Sequence, residues 1–348
     1  MKMIHSRYFD FHEGLHVLKD PATGLTGLIA VHSTARGPAA GGTRCWSYTN
    51  TEELVVDAMR LSRGMSYKNA IAGLPFGGGK AVIQRPPGSS FDREALFRAF
   101  GDAVASLRGQ YITAEDVGTT VADMHTVRSR TRFVAGLHTE GEAAGGDPSP
   151  WTALGVFECL KAASLEMLGL SLRGATVAVQ GLGNVGSRLC HLLAKEGAKL
   201  IVADVDTARA QALAQKFGAK QLDSQEIVSV EADIFAPCAL GAVINDVSLP
   251  NLKFKLICGG ANNQLANEHH GELLRQRGIV YAPDYIVNAG GIINVCAEYL
   301  GENAGGVEGR VRAIPSRLVS VLREAETSGR AANLVADDLA RRIIAGAD

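Results

Sequence analysis

Two lysines in the first quarter of the chain, Lys68 and Lys80, stand where the surrounding pattern predicts buried positions. Apolar residues recur at helical spacing just upstream, at Leu54, Ala58, Leu61 and Met65. This spacing predicts one buried stripe on a helix, and Lys68 is the next position along it. Lys80 follows Gly77-Gly78-Gly79 and leads directly into an apolar strand. Because a lysine held inside a protein must keep an acidic partner or lose its proton, one amine could hold a carboxylate and the other could act as a base.

The elements that must position these lysines alternate between strand-like and helix-like segments. The pattern predicts helices over 51–69 and 91–107, and strands over 27–33, 81–84 and 110–114. Asn50 or Thr51 is the expected cap of the first helix, because Glu52 and Glu53 follow in its first turn. We expect these elements to form an N-terminal domain over residues 1–140.

The composition changes at residues 140–150, where glycine, proline and small residues favour a hinge. A helix is predicted over 152–168, and apolar strands follow at 176–180, 199–204, 233–236, 255–258 and 278–281. Apolar strands that alternate with helices are typical of a doubly wound parallel sheet covered on both faces. We therefore expect a second α/β domain over 145–325. A C-terminal helix at about 326–348 is expected to join the first domain.

A glycine-rich turn follows the first strand of the predicted second domain. Its glycines, Gly181, Gly183 and Gly186, have G-x-G-x-x-G spacing, with Asn184 and Val185 between the last two. A strand before the turn and a helix after it strengthen a motif that is weak by itself. The glycines allow a tight turn and close approach of a pyrophosphate, which would lie at the helix N-terminus. The pattern predicts a dinucleotide site.

Asp204 lies at the end of the next predicted strand, 18 residues beyond Gly186. Its carboxylate could accept hydrogen bonds from the ribose hydroxyls of the nucleotide. Because a carboxylate there would repel a 2′-phosphate, NAD is favoured over NADP. Asp206 is a second candidate for the ribose ligand, or else the start of the following helix.

The charge balance and the cysteines limit the classes of partner. Lys plus Arg number 35 and Asp plus Glu number 36, a net charge of -1 that gives no support for a nucleic-acid or membrane-surface role. The 6 cysteines are dispersed without metal-ligand spacing, so we expect no metal site and reduced thiols in a cytoplasmic protein. Neither a signal-peptide core in residues 1–10 nor an apolar run long enough to span a membrane is evident.

Seven segments together resemble the Glu/Leu/Phe/Val amino-acid dehydrogenase family, and most closely its leucine dehydrogenase branch. They are GPAAGGTR (37–44), RLSRGMSYKNAIAGLPFGGGKAVI (60–83), YITAEDVGTTVADM (111–124), DPSPWTALGV (147–156), VAVQGLGNVG (177–186), GGANNQL (259–265) and YAPDYIVNAGGIINV (281–295). The resemblance implies an N-terminal α/β domain with a mixed sheet, a C-terminal Rossmann NAD-binding domain, and a cleft between them. It also implies a homo-oligomer, a dimer or larger, assembled through the N-terminal domain.

The activity implied by the resemblance is oxidative deamination, in which an L-amino acid, NAD and water give a 2-oxo acid, ammonium and NADH. Lys68 matches the family lysine that pairs with the substrate carboxylate, which the backbone at Gly41 and Gly42 would also approach. Lys80 matches the catalytic lysine that activates water as a general base. Asp116 matches the acid that moves protons to and from the substrate nitrogen.

The resemblance also places residues around the nicotinamide and the substrate side chain. Asn262 matches the asparagine near the substrate amino group and the nicotinamide, and Thr152 matches a residue that orients the nicotinamide. The implied side-chain pocket consists of apolar residues, namely Ala40, Met65, Ala114, Ile292 and Val295. A glutamate side chain would leave a buried carboxylate unpaired there.

The substrate preference stays open between two classes of amino acid. Leucine and other branched-chain amino acids are favoured by Ala114 and by the run at 292–295. Ala40 stands where leucine dehydrogenases usually carry leucine, so phenylalanine or another aromatic substrate is the alternative.

Two other classes of protein are alternatives to an amino-acid dehydrogenase. One is a regulator that binds NAD without catalysis, and the joint presence of Lys68, Lys80 and Asp116 argues against it. A hydroxy-acid dehydrogenase would more typically offer a histidine base, and no histidine falls in these motifs.

Overall fold

The computed structural model describes residues 9–88, 91–137, 144–239 and 241–347. The chain divides into two compact units. The first comprises Met1–Gly146, Asn294–Ala304 and Ala340–Asp348, and the second comprises Asp147–Ile293 and Gly305–Leu339. Part of the predicted hinge, residues 140–143, lies outside the described residues.

The first unit is built on a five-stranded mixed sheet. Its elements are β1 (Gly14–Asp20), β2 (Leu25–Ser33), β3 (Ala39–Trp46), α1 (Thr51–Ile71), β4 (Gly77–Gln84), α2 (Arg93–Ser106), β5 (Tyr111–Glu115) and α3 (Val121–Arg128). The strand order is β1-β2-β4-β3-β5. Strand β2 runs antiparallel to β1 and β4, whereas β3 runs parallel to β4 and β5. Asn50 caps α1 by accepting a hydrogen bond from Glu53 N at 2.9 Å, so the first of the two predicted caps is confirmed.

Strand alternation decides which side chains face which helices. On one face, Ile29, Ala81 and Ile83 belong to a buried core that includes Leu96 and Phe97 of α2. On the other face, a separate buried cluster comprises Leu28, Ala30, Leu54, Ala58 and Val82, of which Leu54 and Ala58 come from α1. Successive residues of a strand point to opposite faces, so Lys80 lies on the same face as Val82. The sheet therefore directs Lys80 to the side of α1.

The second unit contains a six-stranded sheet. Its elements begin with α4 (Ser149–Leu168), β6 (Thr176–Gln180), α5 (Asn184–Glu196), β7 (Lys199–Ala203), α6 (Thr207–Phe217), β8 (Lys220–Gln221), β9 (Ile234–Pro237), β10 (Leu256–Ile257), α7 (His269–Gln276), β11 (Val280–Tyr281) and α8 (Asp284–Val287). The order is β11-β10-β9-β6-β7-β8, and each adjacent pair is parallel. Reversal of the strand order at β6 is the arrangement of a Rossmann sheet, whose nucleotide site lies at that reversal.

Three further helices, α9 (Gly290–Tyr299), α10 (Ala304–Ser328) and α11 (Ala332–Ile344), complete the chain. The prediction joined all of 326–348 to the first domain, whereas residues up to Leu339 belong to the second unit. Within that unit, Tyr285 donates a hydrogen bond to Asp337 at 2.7 Å and Asn333 donates one to Glu268 O at 3.1 Å. These contacts explain why the start of α11 belongs with the parallel sheet. Among the described residues, no helix has the length and apolarity needed to span a membrane.

Residues Asn294–Ala304 belong to the first unit, although the prediction placed them in the second. Glu298 of α9 accepts hydrogen bonds from Gly136 N at 3.1 Å and Leu137 N at 2.8 Å. One helical turn earlier, Asn294 accepts from Gly145 N at 3.1 Å and donates to its carbonyl at 3.2 Å. Two polar side chains on one face of α9 thus bind the backbone on either side of the segment 138–143.

Candidate active site

The best-defined polar contact of the first unit is the ion pair between Lys80 and Asp116. Lys80, on strand β4, is 5% exposed, and its Nζ lies 2.8 Å from Oδ2 of Asp116. The sequence left two outcomes for a buried lysine, an acidic partner or a lost proton. The structure supplies the acidic partner, and it is the aspartate that the motifs had selected.

Asp116 lies directly after β5, in a turn that the chain holds tightly. Its backbone N donates to Oγ1 of Thr119 at 2.9 Å, and that hydroxyl donates in turn to the carbonyl of Thr43 at 3.0 Å. Thr120 is the cap of α3 and forms a capping box with Asp123, so Asp116 is not a helix cap. Burial raises the pKa of the Asp116 carboxyl, but the positive charges of Lys80 and Arg44 outweigh it and lower this pKa to about 2. Asp116 is therefore held as a carboxylate.

Arg44 also belongs to this site, although the motif that contains it predicted no role for it. Its Nε lies 3.2 Å from Oδ2 of Asp116, and its Nη1 lies 2.9 Å from Oδ2 of Asp57. Tyr48 donates a hydrogen bond to the same Asp57 oxygen at 2.6 Å. The only available signal was the place of this arginine at the end of GPAAGGTR, two residues after the glycine pair Gly41-Gly42 that the motifs placed at the site.

The predicted stripe on α1 is only partly buried. Leu54 and Ala58 are buried, but Leu61, Met65 and Lys68 are half-buried. Beyond the second turn the buried face of α1 moves to other positions, which are Met59, Ser62, Ser66, Tyr67, Asn69, Ala70 and Ile71. The reason is the close approach of α1 to β4, since a Cβ at Gly78 would lie 2.0 Å from Ser66 N. Lys68 and Met65 therefore border the packed face of α1 without belonging to it.

Strand β3 supplies Gly41 and Gly42 between the strand of Lys80 and the strand that leads to Asp116. A side chain at Gly42 would place its Cβ 2.8 Å from the Cβ of Asp116, and one at Gly41 would meet Gly79 O at 1.9 Å. Neither position can therefore carry a side chain without moving its neighbours. The structure brings Gly42, Lys80 and Asp116 together around one point of the sheet.

The pocket positions of the first unit lie on the same two strands. Ala40 on β3 is 5% exposed and Ala114 on β5 is 8% exposed. Asn69 of α1, which the sequence analysis missed, donates to the carbonyls of Ala40 at 3.3 Å and Gly77 at 2.6 Å. This buried amide fixes the backbone of β3 and β4 where Ala40 lies. The pocket positions Ile292 and Val295 lie three residues apart on α9, and both are half-buried.

In the second unit, the glycine-rich turn joins β6 to α5 at the strand reversal. Gly181 has φ +88°, and a Cβ at Gly186 would lie 1.9 Å from Gly181 O, so both are needed to form the turn. A Cβ at Gly183 would meet no atom within 4 Å. Gly183 begins α5 without any side-chain cap, which leaves the amides of the first turn, from Asn184 and Val185 onward, available to an anion.

Asp204 follows β7, and it is 8% exposed. Its Oδ2 accepts from Leu182 N at 2.5 Å and its Oδ1 accepts from Asp206 N at 2.8 Å. Asp204 thus holds the glycine-rich turn against the end of β7. Asp206, the alternative ribose ligand, caps α6 by accepting from Arg209 N at 3.1 Å. Between the two acids, the one with the contact to the phosphate-binding turn is Asp204.

Asn262 and Thr152 are also in the second unit. Asn262 is exposed, and its Oδ1 accepts a hydrogen bond from Asn288 Nδ2 at 2.7 Å. Asn288, a residue the sequence analysis missed, is 3% exposed, and its own Oδ1 has no partner. Thr152, near the start of α4, donates to Pro148 O at 3.1 Å. An orphaned amide oxygen beside Asn262 and an uncapped helix at Gly183 fit a ligand with both an amide and phosphates, as in NAD.

A Rossmann sheet with a phosphate-binding turn, together with a separate unit that holds a buried lysine–aspartate pair, defines a two-domain nucleotide-dependent dehydrogenase. The family described as Glu/Leu/Phe/Val dehydrogenase, dimerisation domain, matches residues 5–133. The family described as Glutamate/Leucine/Phenylalanine/Valine dehydrogenase matches residues 147–208 and 202–328. The chain belongs to the Glu/Leu/Phe/Val dehydrogenase family, so it is an NAD-dependent amino-acid dehydrogenase that acts on CH–NH2 donors.

Individual relatives cover most of the chain. The leucine dehydrogenase of Thermoactinomyces intermedius is 48% identical over 334 residues, which span 96% of this chain and 91% of that protein. The phenylalanine dehydrogenase of Lysinibacillus sphaericus is 44% identical over 320 residues, which span 90% of this chain and 84% of that protein. The crystal structure of L-tryptophan dehydrogenase from Nostoc punctiforme has a TM-score of 0.85 and 40% identity, and covers 97% of this chain and 96% of its own. The family and the two-domain α/β fold predicted from the motifs are confirmed.

Proposed function

We propose that this enzyme catalyses the reversible NAD-dependent oxidative deamination of apolar L-amino acids, with leucine and other branched-chain amino acids preferred. The products are the 2-oxo acid, ammonium, NADH and a proton. The observation that carries the proposal is the Lys80–Asp116 pair, at 2.8 Å, in a chain 48% identical to a leucine dehydrogenase.

The proposed roles in the first unit follow from charge and burial. Lys68, half-buried on α1, pairs with the substrate carboxylate, with the backbone at Gly41 and Gly42 close to the same group. Lys80 takes a proton from the water that attacks the imine carbon after hydride transfer. Asp116, held as an anion beside Lys80, takes a proton from the substrate nitrogen before hydride transfer and returns one to it when the nitrogen leaves as ammonia. Water addition and loss of ammonia then give the 2-oxo acid.

The proposed cofactor residues are those of the second unit. When bound, NAD accepts the hydride from Cα of the amino acid. The amides from Gly183 to Gly186 would hold the pyrophosphate, with Gly181 shaping the turn and Asp204 holding the ribose hydroxyls. Asn262 and Thr152 would orient the nicotinamide, and Asn262 would also contact the substrate amino group. The carboxylate of Asp204 suits NAD better than NADP because it would repel a 2′-phosphate, and the nearby cation, Arg209, is paired with Asp204 at 3.6 Å and with Asp206 at 3.2 Å.

The proposed side-chain pocket supports an apolar substrate. All its residues lack charge, namely Ala40, Met65, Ala114, Ile292 and Val295. A glutamate side chain would have to bury its second carboxylate without a cation. Burial of an unpaired charge costs roughly several kcal/mol. An uncharged pocket therefore favours deamination of apolar amino acids over deamination of glutamate.

Phenylalanine is the second candidate substrate, and one observation favours it. The 5% exposed residue at position 40 is alanine, and a small side chain there leaves room for a larger substrate. One methylene more or less in a substrate changes the free energy of its transition state in such a pocket by only ~1–3 kcal/mol. Both substrate classes could therefore be accepted, at different rates.

We further propose a homo-oligomer and a cytoplasmic location. The first unit matches a domain described as a dimerisation domain, and its edge strand β1 presents Val17 at 73% exposure. The six cysteines all lie in the described residues and none of them forms a disulfide bond, which suits a reducing compartment. Light scattering of the purified enzyme tests the first proposal, and a monomeric mass would contradict it.

The test of function is a substrate panel with purified enzyme and NAD at alkaline pH, followed by the absorbance of NADH. L-leucine, L-valine, L-isoleucine, L-phenylalanine, L-tryptophan and L-glutamate are compared by kcat/KM, with D-leucine as a stereochemical control. We expect the branched-chain substrates to lead and glutamate to give no turnover. NADH binding without turnover of any apolar L-amino acid would instead support a non-catalytic regulator.

A further inference from the structure

Asp116 has two cationic neighbours, and both contact the same oxygen. Lys80 Nζ lies 2.8 Å from Asp116 Oδ2, and Arg44 Nε lies 3.2 Å from it. The side chains of Lys80 and Arg44 are 6% and 22% exposed, so neither cation is freely solvated. The carboxylate therefore cannot turn away from Lys80 without also breaking a contact to a guanidinium.

Arg44 is itself held in place from its other end. Its Nη1 lies 2.9 Å from Oδ2 of Asp57, whose side chain is 15% exposed. Tyr48 donates to the same Asp57 oxygen at 2.6 Å. Because a guanidinium is planar and rigid, two carboxylates at two of its edges fix its orientation. A chain of contacts thus runs from α1 through Asp57 and Arg44 to Asp116.

The charges in this chain of contacts are consistent with one another. Burial lowers the pKa of Arg44, but the Asp116 and Asp57 carboxylates outweigh it and raise this pKa above its ordinary value. Burial likewise raises the pKa of Asp116, and the charges of Lys80 and then Arg44 outweigh it. Arg44 is thus a permanent cation that reaches Asp116 whatever the protonation state of Lys80.

We propose that Arg44 is a positioning residue for the reaction, which orients the Asp116 carboxylate toward Lys80 so that it can exchange protons with the substrate nitrogen. The inference rests on the proposed function. Arg44 acts through Asp116, and Asp57 holds Arg44 for that task. If Arg44 served only to connect β3 with α1, its contact with Asp57 would be sufficient. Its contact with Asp116 Oδ2, the oxygen that also binds Lys80, would then have no effect on turnover.

The test compares Arg44→Gln, Arg44→Lys and Asp57→Asn with wild type, by kcat and KM for L-leucine across a pH series and by urea unfolding. Arg60→Gln is the matched control, because Arg60 contacts Asp57 at 3.4 Å and is 42% exposed. We expect Arg44→Gln to lower kcat by about tenfold or more, with little change in KM, which is less than the ~10²–10⁴-fold for loss of a proton-transfer group because Arg44 acts only through Asp116. Arg44→Lys keeps the charge and should recover part of kcat, and Arg60→Gln should behave as wild type.

Two further results separate the possible failures. In the Asp116→Asn background, Arg44→Gln should lower kcat no further, because the group through which it acts is gone. A loss of kcat in Arg44→Gln that is matched by a rise in KM and is not recovered in Arg44→Lys, or an undiminished effect of Arg44→Gln without Asp116, would assign Arg44 a purely structural role. A wild-type enzyme that turns over none of the apolar L-amino acids would overturn the proposed function itself, whereas normal turnover in Arg44→Gln overturns only this inference.

Discussion

The amine of Lys80 lies 2.8 Å from Oδ2 of Asp116, although their strands are not neighbours in the sheet. Lys80 is on β4 and Asp116 follows β5, with β3 between them. Strands two apart are separated by about 10 Å, a distance that a lysine side chain can largely span. The contact is possible because β3 carries Gly42 at this point, where a Cβ would lie 2.8 Å from Asp116 Cβ. The glycine pair of β3 is therefore part of the lysine–aspartate site.

The two lysines should fail in different ways when they are replaced. Lys80→Ala removes the proposed base and should lower kcat by about 10²–10⁴-fold, the range for general acid–base catalysis. Lys68→Ala removes the proposed carboxylate partner and should raise KM for L-leucine much more than it lowers kcat. Steady-state kinetics with NADH fluorescence titration separates these effects. The exposed Lys19→Ala is the control, and a Lys80→Ala enzyme with more than a tenth of wild-type kcat would contradict the assignment.

The low pKa of Asp116 should be visible as a loss of stability in acid. The pKa is about 2 in the folded protein and 3.8 in its ordinary setting. A carboxyl with a depressed folded pKa adds stability above its unfolded pKa, and this is lost as pH falls toward the folded value. The shift corresponds to on the order of 2 kcal/mol. We expect the difference in unfolding free energy between wild type and Asp116→Asn to shrink as pH falls from 5 to about 2.

Urea unfolding at successive pH values measures this difference. Asp102→Asn is the matched control, because Asp102 is 53% exposed in its ion pair with Arg130 and surface pairs contribute little. The Asp116→Asn variant should also be less stable than wild type at neutral pH, since Lys80 is left buried without its carboxylate. A difference that stays constant from pH 5 to the acid limit would show that Asp116 does not titrate as described.

The sequence predicted the second unit more accurately than the first for a physical reason. The central strands of the second unit are apolar runs between helices, and its glycine-rich turn has a fixed spacing. The local sequence pattern therefore predicts the strands and the turn that the fold contains. In the first unit, β1 and β3 were not predicted, and β4 begins at Gly77 although the apolar pattern predicted its start at residue 81. Strand β3 reads AAGGTRCW, and glycine and alanine have low strand propensity. These residues are strand because α1 and the neighbouring strands pack closely on them.

The candidate site was predictable only as far as individual motifs allow. The motifs indicated Lys80 and Asp116, but no local pattern could pair Arg44 with Asp57 or place Asn288 beside Asn262. Such contacts join residues that are distant along the chain, and they form only when the strands are in register. For Lys68 a local pattern predicted too much. Helical spacing placed it on a buried stripe, but the close packing of α1 against Gly78 moves the buried face of the helix to other positions.

The glycine-rich turn allows folding and cofactor binding to be separated. Gly186→Ala places a Cβ 1.9 Å from Gly181 O, so it should lower Tm and distort the turn. Gly183→Ala meets no atom within 4 Å and has an ordinary φ of -67°, so it should fold with nearly wild-type stability. Its methyl group would nevertheless occupy the space that the pyrophosphate needs, and should weaken NADH binding by about tenfold or more. Thermal melts and NADH titration of the two variants test this, and tight NADH binding by Gly183→Ala would argue against the proposed phosphate position.

The preference between leucine and phenylalanine should depend on position 40. Ala40→Leu adds bulk at a 5% exposed position on the α1 side of the sheet, and should lower the phenylalanine-to-leucine ratio of kcat/KM. A change of one to a few methylenes is worth ~1–3 kcal/mol each in such pockets, which predicts a shift of tenfold or more. Ala40→Val is the smaller step, in case leucine overpacks the site. Ala39→Gly is the control, because Ala39 belongs to the core on the opposite face and should alter Tm without altering the ratio. If both Ala40 variants fold and keep the wild-type ratio, another residue sets the size of the substrate.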